Sequence, residues 1–370
     1  MIPGRIYQRA LTKEPQLDRL TALGWTDERA AQLAALDRTD LVPARVATAH
    51  RGRLDLIAQT GPLAGRVSGR LRHDATRQAD LPAVGDWVAA DPGTGMVHAV
   101  LPRRGGISRA APDGRSEPQV LAANVDVALL LGSLNRDLNV RRLERMLTLA
   151  ADARAEAVVV LSKADLVSDS AERVADVRLA LGGTVPVIAI SVRAGTGLEA
   201  LAAWLRPGAT AVLLGSSGVG KTTLLNALSD GPPRRTLAIR ASDDRGRHAT
   251  VTRELVPLAS GAVVIDTPGL RLPRVWEQAA GLETAFADVA ALARACRFSD
   301  CSHSGEPGCA VAAAVADGSL PADRYAGMLK LERERAHIEA RRDAHARAEA
   351  TRAARSSQRA LRARLKEKGR

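Results

Sequence analysis

The stretch ATAVLLGSSGVGKTTLLNALS, residues 209–229, leaves this chain few folds to choose from. An apolar run ends in G-x-x-x-x-G-K-[ST], and a helical pattern follows at once. The glycines let successive backbone N–H groups close around phosphate oxygens at a helix N-terminus. Read this way, Gly215, Ser216, Ser217, Gly218, Val219, Gly220, Lys221, Thr222 and Thr223 cradle a nucleoside triphosphate. Lys221 reaches the terminal phosphates, and the Thr222 hydroxyl ligates Mg²⁺. A buried strand feeding such a loop and helix is one unit of a parallel α/β sheet.

The neighbouring segments extend that sheet. NVDVALLLGSL, AEAVVVLSKADL, TVPVIAISV and GAVVIDTPGL are almost wholly apolar strands, and amphipathic runs such as NVRRLERMLTLAADA separate them. This alternation implies a parallel sheet covered on both faces. Asp266 closes the last strand forty-four residues after Thr222, which suits a carboxylate holding Mg²⁺ through water. Gly269 can then give its N–H to the γ-phosphate. Between them RGRHATVTREL offers Thr250 and Thr252 as switch hydroxyls that complete the Mg²⁺ shell while the γ-phosphate is present.

Ser162, Lys163, Ala164 and Asp165 end the strand AEAVVVLS about fifty residues before the phosphate loop. Many GTPases hold guanine with Asn-Lys-x-Asp at such a strand end, but there the phosphate loop comes first. A lone Ser-Lys-Ala-Asp is a weak signal, because similar tetrapeptides cap helices. Here it belongs to the same sheet, and SVRAGTGL follows one helix and one strand later, where a second base-contacting loop would stand. Two guanine loops in their mutual order, both ahead of the phosphate loop, fit a G domain that has been circularly permuted.

Other modules flank this domain. Residues 1–44 form a polar N-terminal extension with one short helix after Thr26. Residues 45–112 are short apolar runs broken by Gly, Pro and Asp, a pattern for a five-stranded OB-type barrel. Trp87 is the sole aromatic residue in that segment, so an SH3-like or purely structural barrel is the alternative. The permuted GTPase domain is expected over 113–274, and a helical domain over 275–340. That domain carries Cys296, Cys301, His303 and Cys309, whose three thiols and one imidazole make a closed tetrahedral structural zinc shell. Three clustered cysteines without a secretion signal argue for metal over a disulfide framework.

The net charge of +12 is uneven. Residues 341–370 hold 11 Lys and Arg against 3 Asp and Glu, a net of +8, which leaves +4 for the rest. Such a basic tail points to a polyanion, either nucleic acid or an anionic membrane surface, and a solvated helix is the bland alternative. No apolar run approaches the roughly 20 residues of a membrane span, and the first residues lack the apolar segment of a signal peptide. The expectation is a cytoplasmic monomer with no membrane attachment.

The order of these motifs resembles the ribosome small subunit-dependent GTPase A family, permuted GTPases with an N-terminal OB domain and a C-terminal zinc domain. The likeness covers roughly residues 45 to 335 and rests on VGDWV, LPRRGGISR, QVLAANVDVALLLGSLN, GSSGVGKTTLLNAL, GRHATVTREL, DTPGLR and the Cys/His cluster. The resemblance implies a GTPase that cycles between GTP and GDP, binds the immature or empty 30S subunit through its rRNA, is stimulated by it, and assists late assembly. That family usually has Asn where Ser162 stands, which changes one amide contact near the base. It usually has Thr at Ala249, which turns the choice of switch residue to Thr250. Leu270 occupies the position after Asp-x-x-Gly where many GTPases orient water with Gln, and the resemblance assigns that catalytic role to His248.

Two rivals stand beside a 30S-stimulated GTPase. A P-loop ATPase or kinase is set apart by Asp165, since a carboxylate accepts guanine N1–H and the 2-amino group while adenine presents neither. An RNA-binding protein that uses nucleotide only as a structural ligand is set apart by turnover.

Overall fold

The computed structural model describes residues 19–50, 52–110, 118–135, 138–229, 253–267, 279–340 and 347. Two short helices, α1 (Arg19–Ala22) and α2 (Asp27–Ala34), precede the first strand. Thr26 occupies the N-cap of α2 in an extended conformation, without a side-chain capping hydrogen bond. Leu20 and Leu23 enter the main core, so this lead segment packs as part of the body.

Strands β1 (Val42–His50), β2 (Arg53–Ala58), β3 (Gly61–Val67), β4 (Trp87–Ala90) and β5 (Met96–Val100) close on themselves in the order β1-β2-β3-β5-β4-β1. Only the β3–β5 pair is parallel, and α3 (Gly69–Asp74) fills the crossover between β3 and β4. This is the OB order, which decides between the barrel alternatives. Alternation builds it: Leu54, Leu56 and Ala58 of β2 point inward while Arg53, Asp55 and Ile57 do not. Gly95 turns the β4–β5 hairpin at φ 68, close against the Ala64 carbonyl, where a Cβ would collide.

Trp87 is fully buried rather than displayed for stacking on bases. Its ring meets Trp25 edge-on at 4.8 Å and carries the Arg45 guanidinium 5.0 Å from its centre. Arg45 donates to Gly85 O at 2.8 Å, to Leu23 O, and to Thr210 Oγ1 at 3.0 Å, joining the barrel to the lead helices and the central sheet. Burial pulls this guanidinium down to about 9.

After the hairpin β6 (Gly106–Ala110) and β7 (Pro118–Ala123), the chain enters the central sheet with β8 (Val127–Ser133) and α4 (Val140–Asp152). It continues through β9 (Glu156–Ser162), α5 (Ser170–Ala180), β10 (Val187–Ala189), α6 (Leu198–Ala202), β11 (Thr210–Gly215), α7 (Lys221–Leu228), β12 (Glu254–Pro257) and β13 (Val263–Asp266). The spatial order is β10-β9-β8-β11-β13-β12, parallel except for β12. The sheet then runs into the barrel through the Thr48–Glu254 pair. Along β8, Ala128 and Leu130 pack in one core while Val127, Leu129 and Leu131 pack in the other. Both faces are therefore covered, as near-continuous apolar strands require.

Helices α8 (Ala279–Ala285), α9 (Ala287–Arg294), α10 (Ala310–Ala316) and α11, residues 322–340, form the C-terminal region around a smaller core with Phe286 and Val311 at its centre. Ion pairs from α4 fasten it to the sheet. Arg145 holds Glu334 with two bonds of 2.6 and 2.8 Å. Arg324, buried over the Phe286 ring, grips Asp288 at 2.6 and 2.7 Å and faces Glu144 at 3.5 Å. Among the described residues no helix is long and apolar enough to cross a membrane.

Candidate functional site

All six residues of β11 are buried, so the strand ends rigidly at Gly215 and delivers the loop to the carboxyl edge of the sheet. Gly220 turns into α7 at φ 103, a conformation open to glycine at little cost. Lys221 is almost wholly buried, and its ammonium donates to Gly215 O at 2.7 Å and Ser216 O at 2.8 Å. Burial pulls it down to about 8 against the opposing pull of Asp266. Asp266 ends β13 opposite Leu213 in the parallel ladder, so its carboxylate lies on the same edge as the loop. Thr267 Oγ1 donates to Leu213 O at 2.6 Å and ties the two strand ends together.

The Ser-Lys-Ala-Asp segment reaches this edge from β9. Ser162 Oγ donates to Val219 O at 2.6 Å, with Gly132 O a second acceptor at 3.1 Å. Lys163 adopts the left-handed conformation at φ 62 and donates from Nζ to Gly218 O at 3.1 Å. Two consecutive residues thus clasp the phosphate loop although 57 and 55 positions separate the partners. Asp165 stands exposed beyond them. Its Oδ1 accepts from Ser191 Oγ at 2.6 Å, and that hydroxyl accepts from Ala194 N at 3.0 Å. Ser191 is the first residue of SVRAGTGL and is buried. It aims the Asp165 carboxylate, a role that the sequence reading gave to no single residue, although a Ser opening that loop was the available signal.

Arg142 was also missed. It lies in the first turn of α4 and donates from Nη1 to Ser216 Oγ at 3.1 Å. Only the folded sheet brings positions 74 apart together, so no local pattern could announce it. His248, Thr250, Thr252, Gly269 and Leu270 lie outside the described residues.

In the C-terminal region the ligand atoms of Cys296, Cys301, His303 and Cys309 all lie within 4.8 Å of one another. Cys296 Sγ and Cys309 Sγ are 3.5 and 3.4 Å from His303 Nδ1 and 3.9 Å from each other. Bonds of about 2.3 Å to sulfur and 2.0–2.1 Å to nitrogen give a tetrahedron with edges of about 3.5–3.8 Å, so the donor set fits a four-coordinate soft metal. Cys309 also caps α10, its sulfur accepting from Ala312 N at 3.3 Å. The arrangement is a closed Cys3His metal-binding cluster.

A phosphate loop at the middle of a parallel sheet, joined on its own edge by a Lys-x-Asp loop that precedes it in the chain, defines a P-loop GTPase of permuted order. A family model described as RsgA GTPase matches residues 100–276. The small ribosomal subunit biogenesis GTPase RsgA of Opitutus terrae is 45% identical over 338 residues, covering 88% of this chain and 92% of its own. The protein of the same name from Streptomyces coelicolor is 45% identical over 335 residues, covering 89% and 90%. The crystal structure of YjeQ from Thermotoga maritima superposes with a TM-score of 0.60 at 27% identity, covering 79% of this chain and 97% of that one. YloQ, described as a circularly permuted GTPase, shares the fold with a TM-score of 0.57 at 22% identity, covering 82% and 96%. The chain belongs to the RsgA family of circularly permuted GTPases. It is a GTP-hydrolysing enzyme of ribosome biogenesis.

Proposed function

We propose that the protein hydrolyses GTP in response to the small ribosomal subunit and assists late assembly of that subunit through nucleotide-dependent contacts with rRNA. The observation that carries the guanine-nucleotide part is the clasp of Ser162 and Lys163 on Val219 and Gly218, which makes the base loop and the phosphate loop one site. The names of the 45% identical relatives support the ribosomal part.

In this reading Asp165 accepts N1–H and the 2-amino group of guanine, and Ser191 keeps its carboxylate turned toward them. Residues 215–223 surround the phosphates, with Lys221 neutralising their terminal charge. Thr222, Thr250 and Asp266 would hold Mg²⁺, and Gly269 would sense the γ-phosphate. Mg²⁺ supplies charge stabilisation at the β- and γ-phosphates when bound with GTP. His248 orients the attacking water, since Leu270 can neither donate nor accept a hydrogen bond. The Cys3His cluster holds one structural zinc ion, because a closed shell leaves no position for water.

The permuted order joins Asp266 and Gly269 directly to the metal-bearing region, so nucleotide state can alter how barrel and helices grip RNA. GTP turnover measured with and without purified 30S subunits tests the proposal, with strong stimulation expected. Equal turnover with and without subunits would overturn it. His248→Ala should lose the stimulation while GTP and 30S affinities persist, and a variant stimulated as strongly as the parent would remove His248 from the water.

A further inference from the structure

Ser162 stands where an asparagine would extend an amide toward the nucleotide base, and its surroundings limit what it can do there. The side chain is 5% exposed. A hydroxyl has one proton to give. Both neighbours of Ser162 Oγ are carbonyl oxygens, Val219 O at 2.6 Å and Gly132 O at 3.1 Å, so that proton is spent within the protein. Its remaining lone pairs are acceptors.

The segment from position 162 to Asp165 runs from the phosphate loop outward to the carboxylate that Ser191 aims. A guanine with its N1–H and 2-amino edge on Asp165 and its sugar directed to the phosphate loop lays the O6 and N7 side along this segment. Guanine N7 is an acceptor and needs a donor. Ser162 has none left, and Lys163 Nζ is turned back onto Gly218 O.

We infer that Ser162 fastens the base loop to the phosphate loop without reading the base, so that this GTPase is indifferent to guanine N7. The inference rests on the guanine site proposed above. It makes position 162 an anchor that sets affinity through the phosphate loop, with base selection left to Asp165. Guanine nucleotides altered at position 7 are then accepted as ligands.

Displacement of a fluorescent GDP analogue by GTP, 7-deaza-GTP and ATP, in the presence of Mg²⁺, tests this on the full chain. In the parent, 7-deaza-GTP should bind within about twofold of GTP, since no hydrogen bond to N7 is lost. Ser162→Ala should weaken both guanine nucleotides equally, by about fivefold, the worth of one ordinary hydrogen bond. Ser162→Asn, which restores an amide donor, should create a preference for GTP over 7-deaza-GTP. A parent that already prefers GTP by fivefold or more, a Ser162→Ala variant that weakens GTP alone, or a folded Ser162→Asn variant still indifferent to N7 would each overturn the inference. ATP displacing the probe as well as GTP would instead sink the guanine site itself.

Discussion

The nucleotide edge of the central sheet and the metal-bearing C-terminal region each bring together residues distant in the chain, but different forces hold them. At the nucleotide edge the loops spring from buried parallel strands and are pinned to one another by side chain to backbone bonds, such as Ser162 to Val219 and Thr267 to Leu213. One face of that sheet alone buries seventeen hydrophobic residues in a single cluster. Among the described residues the C-terminal core has eight, one of them the metal ligand Cys309. A core that small rarely sustains itself, and a metal shell is one of the ways such regions are stapled. The nucleotide site is therefore an intrinsic product of the sheet, whereas the C-terminal region, with its smaller core, is expected to depend on an ion in the Cys3His cluster and on the ion pairs that α4 extends to it.

Removing the ion is the largest way to break this contrast. A structural zinc site contributes on the order of 10–16 kcal/mol of folding free energy. Cys301→Ser, or a strong chelator, should abolish protection of α8 to α11 in hydrogen exchange while nucleotide binding largely persists. One zinc per chain is expected by elemental analysis. Undiminished protection without metal would show that the small core suffices.

The buried pairing of Arg324 with Asp288 and Glu144 comes next. Burial already pushes the Glu144 carboxyl up, and neighbouring arginines pull it back. Deleting one partner of a buried pair costs about 3–5 kcal/mol. Arg324→Leu should lower the thermal stability of the C-terminal region accordingly and leave the sheet's transition in place. A single cooperative shift of the whole molecule would mean that the two regions unfold as one unit.

Lys221 gives a smaller, pH-dependent test on the other side of the comparison. Its folded value is lowered to about 8, so the ammonium proposed to neutralise the triphosphate is progressively lost above that pH. Triphosphate affinity should be flat below pH 8 and fall by up to about tenfold per pH unit above it. Affinity unchanged up to pH 9 would place the neutralising charge elsewhere.

Asp152 supplies the smallest effect, at the seam between the two regions. It lies at the end of α4 against Gly281 of α8, and burial raises its carboxyl to about 7. An acid raised in the folded state keeps its proton up to that pH, whereas the unfolded chain releases it near 4. This group therefore withdraws stability as pH climbs from about 4 to about 7 and withdraws no more above. Asp152→Asn should match the parent below pH 4 and be modestly more stable at pH 8, by urea unfolding. The Arg335 charge opposes the burial penalty on this carboxylate, which keeps the gain small.

What the sequence disclosed follows the same division. Strand–loop–helix order, the phosphate loop and the Cys/His spacing are local patterns, and each carries its own chemistry. The barrel type stays open in one dimension because residues 45–112 hold a single aromatic residue, Trp87, too few to argue a base-stacking face, and in the fold that ring is the buried seat of Arg45. The lead helices read as polar, yet Trp25 edges onto Trp87 and Leu23 O receives Arg45. Ser191, Arg142 and the α4 ion pairs join positions from 26 to 189 residues apart. Contacts of that range depend on sheet order, which no motif states.

Nucleotide selection by the Asp165 carboxylate is the most direct test, because it requires that a loop placed early in the chain complete a site whose phosphate half comes later. Competition binding should show GTP strongly preferred over ATP in the parent, and Asp165→Asn should move the preference to XTP, whose 2-oxo group accepts from the new amide. A parent that binds ATP as well as GTP, or a folded Asp165→Asn variant that keeps its preference for GTP, would contradict it.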